Sequence, residues 1–215
     1  MIDRTELLKR LYEDEQEGLF ALKFLERKYI GFKHRFQVNS GMCFCMFNYL
    51  PYSYRLEPFM IESIARSVVF NFKKGELSYD AANLLAAAVA GDKLLGCFPG
   101  EAILLTIPAS SVEKHERRFR TFSKILSENL GIRDGFSLLN VTDRPDRRTS
   151  LKESVTIHDP EGLITGRPIV LADDVYASGH SFDTVSKLLL DAGAKSITGL
   201  FLAKSIPRSE LYVNV

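Results

Sequence analysis

Apolar positions along this chain follow two different patterns, and the change falls near residue 100. From Asp3 to about Tyr29 the period is helical. Leu7, Leu8, Leu11 and Tyr12 share one face, and Asp3 can cap the N-terminus with Glu6 three residues on. Gly18 interrupts that run, so it reads as one broken helix or two. Residues 31–60 are aromatic-rich and poorly periodic, with Pro51 and Pro58 as breakers, and read as short strands and loops. Two helices are expected over 61–74 and 79–91, separated at Lys74 and Gly75.

Beyond residue 102 the pattern alternates. Residues 102–107 form a short apolar run closed by Pro108, which suits a buried strand. Phe119, Phe122, Leu126 and Leu130 recur at helical spacing, and Gly131 marks the stop. Residues 138–141 read as a second strand, followed by the polar, Arg-rich stretch 142–152 and a turn at 159–162. A strand at 168–172 leads to a helix with Phe182, Val185, Leu188 and Leu189 on one face. Gly193 ends that helix, and residues 197–203 are another strand. Strands alternating with helices imply an α/β fold with a parallel, twisted sheet covered on both faces. The chain divides on this reading into an N-terminal helical or mixed hood at 1–60 and an α/β domain at 61–215.

Composition narrows the function classes. Of 215 residues, 28 are basic and 27 acidic, a formal charge of +1 that argues against a surface given over wholly to nucleic acid. Hydrophobic residues at 46% and charged ones at 26% are ordinary for a globular chain, and three cysteines make no disulfide scaffold. The first six residues lack an apolar secretory core, and the apolar run at 84–91 is far short of the ~20 residues that span a bilayer. A cytoplasmic protein is the expectation.

The segment richest in chemistry is 169–182. A buried strand brings two adjacent carboxylates, Asp173 and Asp174, to its C-terminal end. A short loop with Ser178, Gly179 and Ser181 follows, and then a helix opens. The C-terminal ends of parallel strands form the ligand crevice of open α/β sheets, and a helix N-terminus there favours a phosphate. Carboxylates beside a phosphate cradle repel the ligand unless they meet hydroxyls or a metal. A sugar phosphate with a cis-diol, or one carrying Mg²⁺, satisfies both halves. The alternative is a pair of loop carboxylates that merely cap the next helix.

This segment resembles the signature of the type I phosphoribosyltransferases: an apolar run, two acidic residues, then a hydroxyl-and-glycine loop opening a helix. The resemblance implies that family's sheet and a site for 5-phosphoribosyl-1-diphosphate with Mg²⁺. Tyr176, Ala177, Ser178, Gly179, His180 and Ser181 would hold the 5-phosphate. Asp173 and Asp174 would address the ribose hydroxyls and the metal. His180 counts as part of the loop, at a variable family position without a role of its own. Ala177 lacks the hydroxyl the family usually carries there. Upstream, residues 67–75, 103–108 and 117–119 are similar to the ComF-like competence-protein branch, although Arg117–Thr121 departs from the branch's usual run and its cysteine-pair zinc module is missing.

The same resemblance assigns Ala109, Ser110 and Ser111 to the diphosphate, with a plain strand-to-helix connection as the alternative. Arg144, Arg147 and Arg148 could close over the leaving group, Arg147 and Arg148 being counted with Asp173 and Asp174 as catalytic candidates. A solvated basic loop explains them as well. Lys204 is a further cation after the last strand. The implied reaction is transfer of the phosphoribosyl group to a nitrogenous acceptor with release of diphosphate, the work of a pentosyl-transferring glycosyltransferase in nucleotide metabolism. Whether the site is catalytic stays open. One rival is a non-catalytic protein of the same fold acting in DNA uptake or regulation; another is a ribose-phosphate binder of a different family. The sequence permits a homodimer and leaves nucleic acid as a lesser partner, through Arg117, Arg118 and Arg120 interleaved with Phe119 and Phe122. Cys43, Cys45 and Cys97 read as buried thiols. Phe44, Phe47, Tyr49, Tyr52 and Tyr54 read as packing or as a platform for a planar base.

Overall fold

The computed structural model describes residues 31–54, 60–94, 98, 100–143 and 151–212, and Lys23 besides. The helix expected over 3–29, Cys97, Arg144, Arg147 and Arg148 lie outside the described residues, except for Lys23. In chain order the main elements are β1 (His34–Val38), β2 (Gly41–Tyr49), α1 (Met60–Lys74), α2 (Ser78–Gly91), β3 (Ile103–Thr106), α3 (Val112–Leu130) and β4 (Arg133–Asp134). There follow β5 (Leu139–Val141), β6 (Val155–Ile157), β7 (Pro168–Tyr176), α4 (His180–Asp191) and β8 (Ser196–Ser205).

Six strands form one sheet in the order β1-β2-β8-β7-β3-β4, parallel throughout except for the β1–β2 hairpin. The fold is therefore α/β around a mostly parallel sheet. Its central strand β7 starts as an unbroken apolar run because both faces are covered: Ile169, Val170, Leu171 and Ala172 are all buried. Val170, Ala172, Leu104 and Leu200 pack against α1, α2 and α3. Their alternating neighbours Ile169, Leu171, Ile103 and Ile197 pack against Phe182, Val185 and Leu189 of α4. On the first face Phe72 of α1 meets Phe119 and Phe122 of α3 edge-on, at centroid distances of 5.6 and 5.1 Å. Truncating Phe119 to alanine would cost about 3–5 kcal/mol.

Two regions differ from the sequence pattern. Residues 34–49 join the main sheet instead of making a separate layer, since β2 runs parallel to β8 with Cys43, Cys45, Met46 and Phe47 fully buried. With both sides of β2 covered, the alternation that would have marked it as a strand is lost. The strand expected at 138–141 is present at Leu139–Val141, but it pairs antiparallel with β6 in a separate two-stranded sheet. The place beside β3 is taken by the two residues of β4.

Topology fixes where a ligand can sit. From β7 the chain crosses through α4 to β8; from β3 it crosses through α3 to β4, over the opposite face. β7 and β3 are neighbours, so the two connections diverge between them. Such a switch point opens a crevice outside the C-terminal strand ends. The loops 107–111 and 177–179 border it.

Candidate functional site

At the end of β7 strand alternation sends the two adjacent carboxylates in opposite directions. Asp174 is buried and turned toward α1 and α3, where Arg118 Nη1 lies 3.2 Å and Lys73 Nζ 3.8 Å from its oxygens. Asp173 faces a cavity of about 60 Å³ at the crevice. Its one described hydrogen bond is from the Asp174 N–H, 2.8 Å from Oδ1. Burial, and then the neighbouring Asp174 charge, push the Asp173 carboxyl well above the ordinary carboxylate range. Burial also raises Asp174, and Lys73 and Arg118 pull it back. Among the described residues Asp173 is thus the carboxylate of the pair with no cation in direct contact, Arg118 and Lys73 acting on it only from beside Asp174.

The other walls of that cavity include Ile107, Tyr176, Ala177, Ser178, Gly179 and Ser181. Gly179 makes the turn from strand to helix at φ +83°, a left-handed conformation that side chains disfavour. No side chain caps α4. Ser178 Oγ accepts a long 3.4 Å bond from the His180 N–H, and the first helical bond runs from Asp183 N–H to Gly179 O at 2.9 Å. Among the described residues the N–H groups of Ser181 and Phe182 have no acceptor. Asp183, the acidic residue of this first turn, is turned aside to accept from Ser40 Oγ at 2.8 Å. Unpaired donors at a dipole's positive end, beside two hydroxyls, suit a phosphate oxygen.

The loop after β3 is built differently. The Ala109 N–H donates to His115 Nδ1 at 3.4 Å, and the Val112 N–H donates to Asp143 Oδ1 at 2.7 Å. Ser111 caps α3 by accepting from Lys114 N–H, while Lys114 Nζ donates to Ser110 Oγ. Ala109, Ser110 and Ser111 border the crevice with much of their hydrogen-bonding capacity already engaged. His115 is buried and stacked on Phe136 at 4.9 Å, its Nε2 has no partner among the described residues, and burial lowers its pKa to about 4. Two larger cavities, about 510 and 260 Å³, lie along α3 beside Phe136 and include none of the β7 loop.

Lys73 and Arg118 are the residues that the sequence reading missed as partners of the acidic pair. In the sequence Arg118 stands out only as part of the basic run 117–120 and of the ComF-like stretch 117–119. That run makes no open nucleic-acid strip. Arg117 pairs with Glu113 at 3.3 Å, Arg118 with Asp174, and Arg120 with Glu116, whose Oε1 is 2.8 Å from Nη2. Phe119 and Phe122 are in the core. Cys43 and Cys45 are buried, and burial pushes the Cys43 thiol up to about 12. Phe47 is core, Phe44 packs on Phe32, and Tyr52 carries the Arg66 guanidinium, so the aromatic group is divided among three environments. Lys204 lies over the Phe36 ring at 5.1 Å and has no carboxylate partner among the described residues.

With Asp174 paired to Arg118 and Lys73, Asp173 is the carboxylate of the pair left to meet a Mg²⁺ that arrives with a phosphorylated ligand. The described residues contain no cluster of three His, Cys, Asp or Glu side chains able to hold a metal. Nor is any described helix long and apolar enough to cross a membrane.

No protein-family model matches the chain, and no curated protein matches it. Its backbone is similar to solved phosphoribosyltransferase structures at low identity. A hypoxanthine phosphoribosyltransferase from Staphylococcus aureus is 14% identical, with a TM-score of 0.40 over 63% of this chain and 76% of that one. A hypoxanthine-guanine phosphoribosyltransferase from Bacillus anthracis is 13% identical, with 0.38 over 62% and 79%. The Trypanosoma cruzi hypoxanthine phosphoribosyl transferase is 12% identical, with 0.40 over 63% and 76%.

Proposed function

We propose that this chain binds 5-phosphoribosyl-1-diphosphate and transfers its phosphoribosyl group to a nitrogenous acceptor, releasing diphosphate. The observation that carries this reading is the cavity uniting Asp173, which makes no ion pair among the described residues, with the donor-rich loop 176–181 at a topological switch point. The 5-phosphate takes the loop and the start of α4. The ribose hydroxyls donate to Asp173, supplying the hydrogen bonds its ionised form lacks. The acceptor nitrogen attacks the anomeric carbon as the bond to diphosphate breaks, through a transition state with oxocarbenium character. Positioning and fixed charge provide most of the acceleration. Arg147 and Arg148 are assigned to the leaving group by the sequence reading. Mg²⁺ has its place as the counter-ion of the diphosphate, and no step is assigned to a protein-held ion. Calorimetry with the Mg²⁺ salt of the diphosphate donor tests the reading. Binding that falls at least tenfold in Asp173→Ala is expected, and a native chain that does not bind overturns it.

One observation favours a second reading, a non-catalytic protein of this fold that works through a partner in DNA uptake or regulation. The N–H groups of Ala109 and Val112 are engaged by His115 and Asp143, where a diphosphate would need donors. Diphosphate release assayed against purine, pyrimidine and small amine acceptors separates the two. Turnover with any one of them ends the second reading.

A further inference from the structure

Tyr176 lines the loop cavity and brings its hydroxyl over the turn, beside Gly179. The loop's own position 177 is alanine, while the Ser178 hydroxyl accepts from the His180 N–H and keeps its O–H to donate. The Tyr176 ring folds back over the turn. A Cβ added at Gly179 would come within 2.4 Å of the tyrosine hydroxyl, so only glycine leaves room for it. The ring has little freedom, being held edge-on by Phe36 at 4.9 Å and Phe201 at 5.2 Å, with Phe182 at 6.3 Å. Among the described residues the hydroxyl has no hydrogen-bond partner. It stays protonated, since burial, and then the flanking Cys43, Asp183 and Cys45, raise its pKa above the usual phenol value. The result is a fixed, unpaired donor in the wall of a cavity of about 60 Å³.

We infer that the Tyr176 hydroxyl is a phosphate donor of this cradle, replacing the hydroxyl absent at Ala177 and selecting ligands that end in a phosphate monoester. This inference rests on the phosphoribosyl reading of the site. A neutral phenol donating to a dianion makes a charge-assisted bond, the stronger kind. Its loss should therefore be felt by phosphorylated ligands alone.

Calorimetry of the full chain with ribose 5-phosphate and with unphosphorylated ribose, for the native protein and Tyr176→Phe, tests it. Phenylalanine keeps the ring packing, so an unchanged melting temperature is expected. Affinity for ribose 5-phosphate should fall about tenfold or more, affinity for ribose should not change, and adding Ala177→Thr should restore part of the loss. Equal affinity of native and Tyr176→Phe chains for ribose 5-phosphate overturns the tyrosine assignment and leaves the phosphoribosyl reading standing. Equal losses for both ligands overturn it too, by showing a purely structural role. A native chain that binds neither ribose 5-phosphate nor the diphosphate donor overturns both.

Discussion

The crevice is bordered by two loops that look alike in sequence and differ in what they have left to offer. Both follow a buried apolar strand, both hold small hydroxyl residues, and both lead into a long helix. After β7, among the described residues, the turn at Gly179 leaves two helix N–H groups, a tyrosine hydroxyl and a carboxyl without an ion pair facing one cavity. After β3, Asp143, Ser111 and His115 have already satisfied the corresponding groups. Position at a switch point supplies the opportunity for binding, and unsatisfied polar groups turn the opportunity into a site. The same division separates neighbouring residues of one strand: among the described residues Asp174 has two cations in contact and Asp173 none.

The largest effect expected is on the satisfied side. Arg118→Ala leaves the buried Asp174 carboxylate with only the more distant Lys73, and should destabilise the fold by about 3–5 kcal/mol. Denaturant titration should show Asp174→Ala recovering much of that loss in the double variant. A ligand-dependent recovery instead would mean that Asp174 serves the ligand and would erase the contrast between the two carboxylates.

Next is the β3 loop. Asp143→Ala removes the acceptor of the Val112 N–H, and should cost about 1 kcal/mol of stability while leaving affinity for ribose 5-phosphate unchanged. A changed affinity would show that this loop shares the phosphate site.

Two predictions concern pH. Asp173 titrates higher in the folded chain than its ordinary value of about 3.9, so the stability present at low pH is lost as pH rises from there through the raised folded value. Asp173→Asn should therefore melt higher at neutral pH, by an order of 1 kcal/mol or about 2–4 °C, with the gain vanishing below about pH 4. A variant that melts lower at neutral pH would place a stabilising cation near Asp173. His115 runs the other way. Its pKa falls from 6.5 to about 4 on folding, so its contribution is full above 6.5 and lost as pH falls toward 4. His115→Gln should flatten that acid limb of the melting curve, and an unaltered limb would assign it to other groups.

Much of this arrangement was legible in the sequence. β7, its loop and α4 follow from an apolar run, a glycine turn and a helical period that are consecutive in the chain, where local rules are strongest. α3 likewise stops at the Gly131 its pattern marks. The partners of Asp174 were not legible. Lys73 and Arg118 come from two helices distant in the chain, and each sits among other basic residues that nothing local distinguishes from it. β2 was obscured by burial on both faces, and the engaged state of the 109–112 loop depends on Asp143, which reaches it from 31 residues away. Sequence pattern reports which groups a loop owns; tertiary contacts decide which remain free.

The hairpin at the sheet's edge has a consequence for how the chain can fail. One border of the main sheet is β4, at two residues too short to recruit another strand. The other is β1, with Arg35 and Gln37 exposed and Arg35 tied to Asp92 by a 2.7 Å ion pair. Behind β1 lies β2, nine residues without a single charge. Peeling β1 away would turn that strand into an open apolar template, the kind from which intermolecular β-aggregation begins. β1 is thus the molecule's protection against self-assembly, and the Arg35–Asp92 pair fastens it.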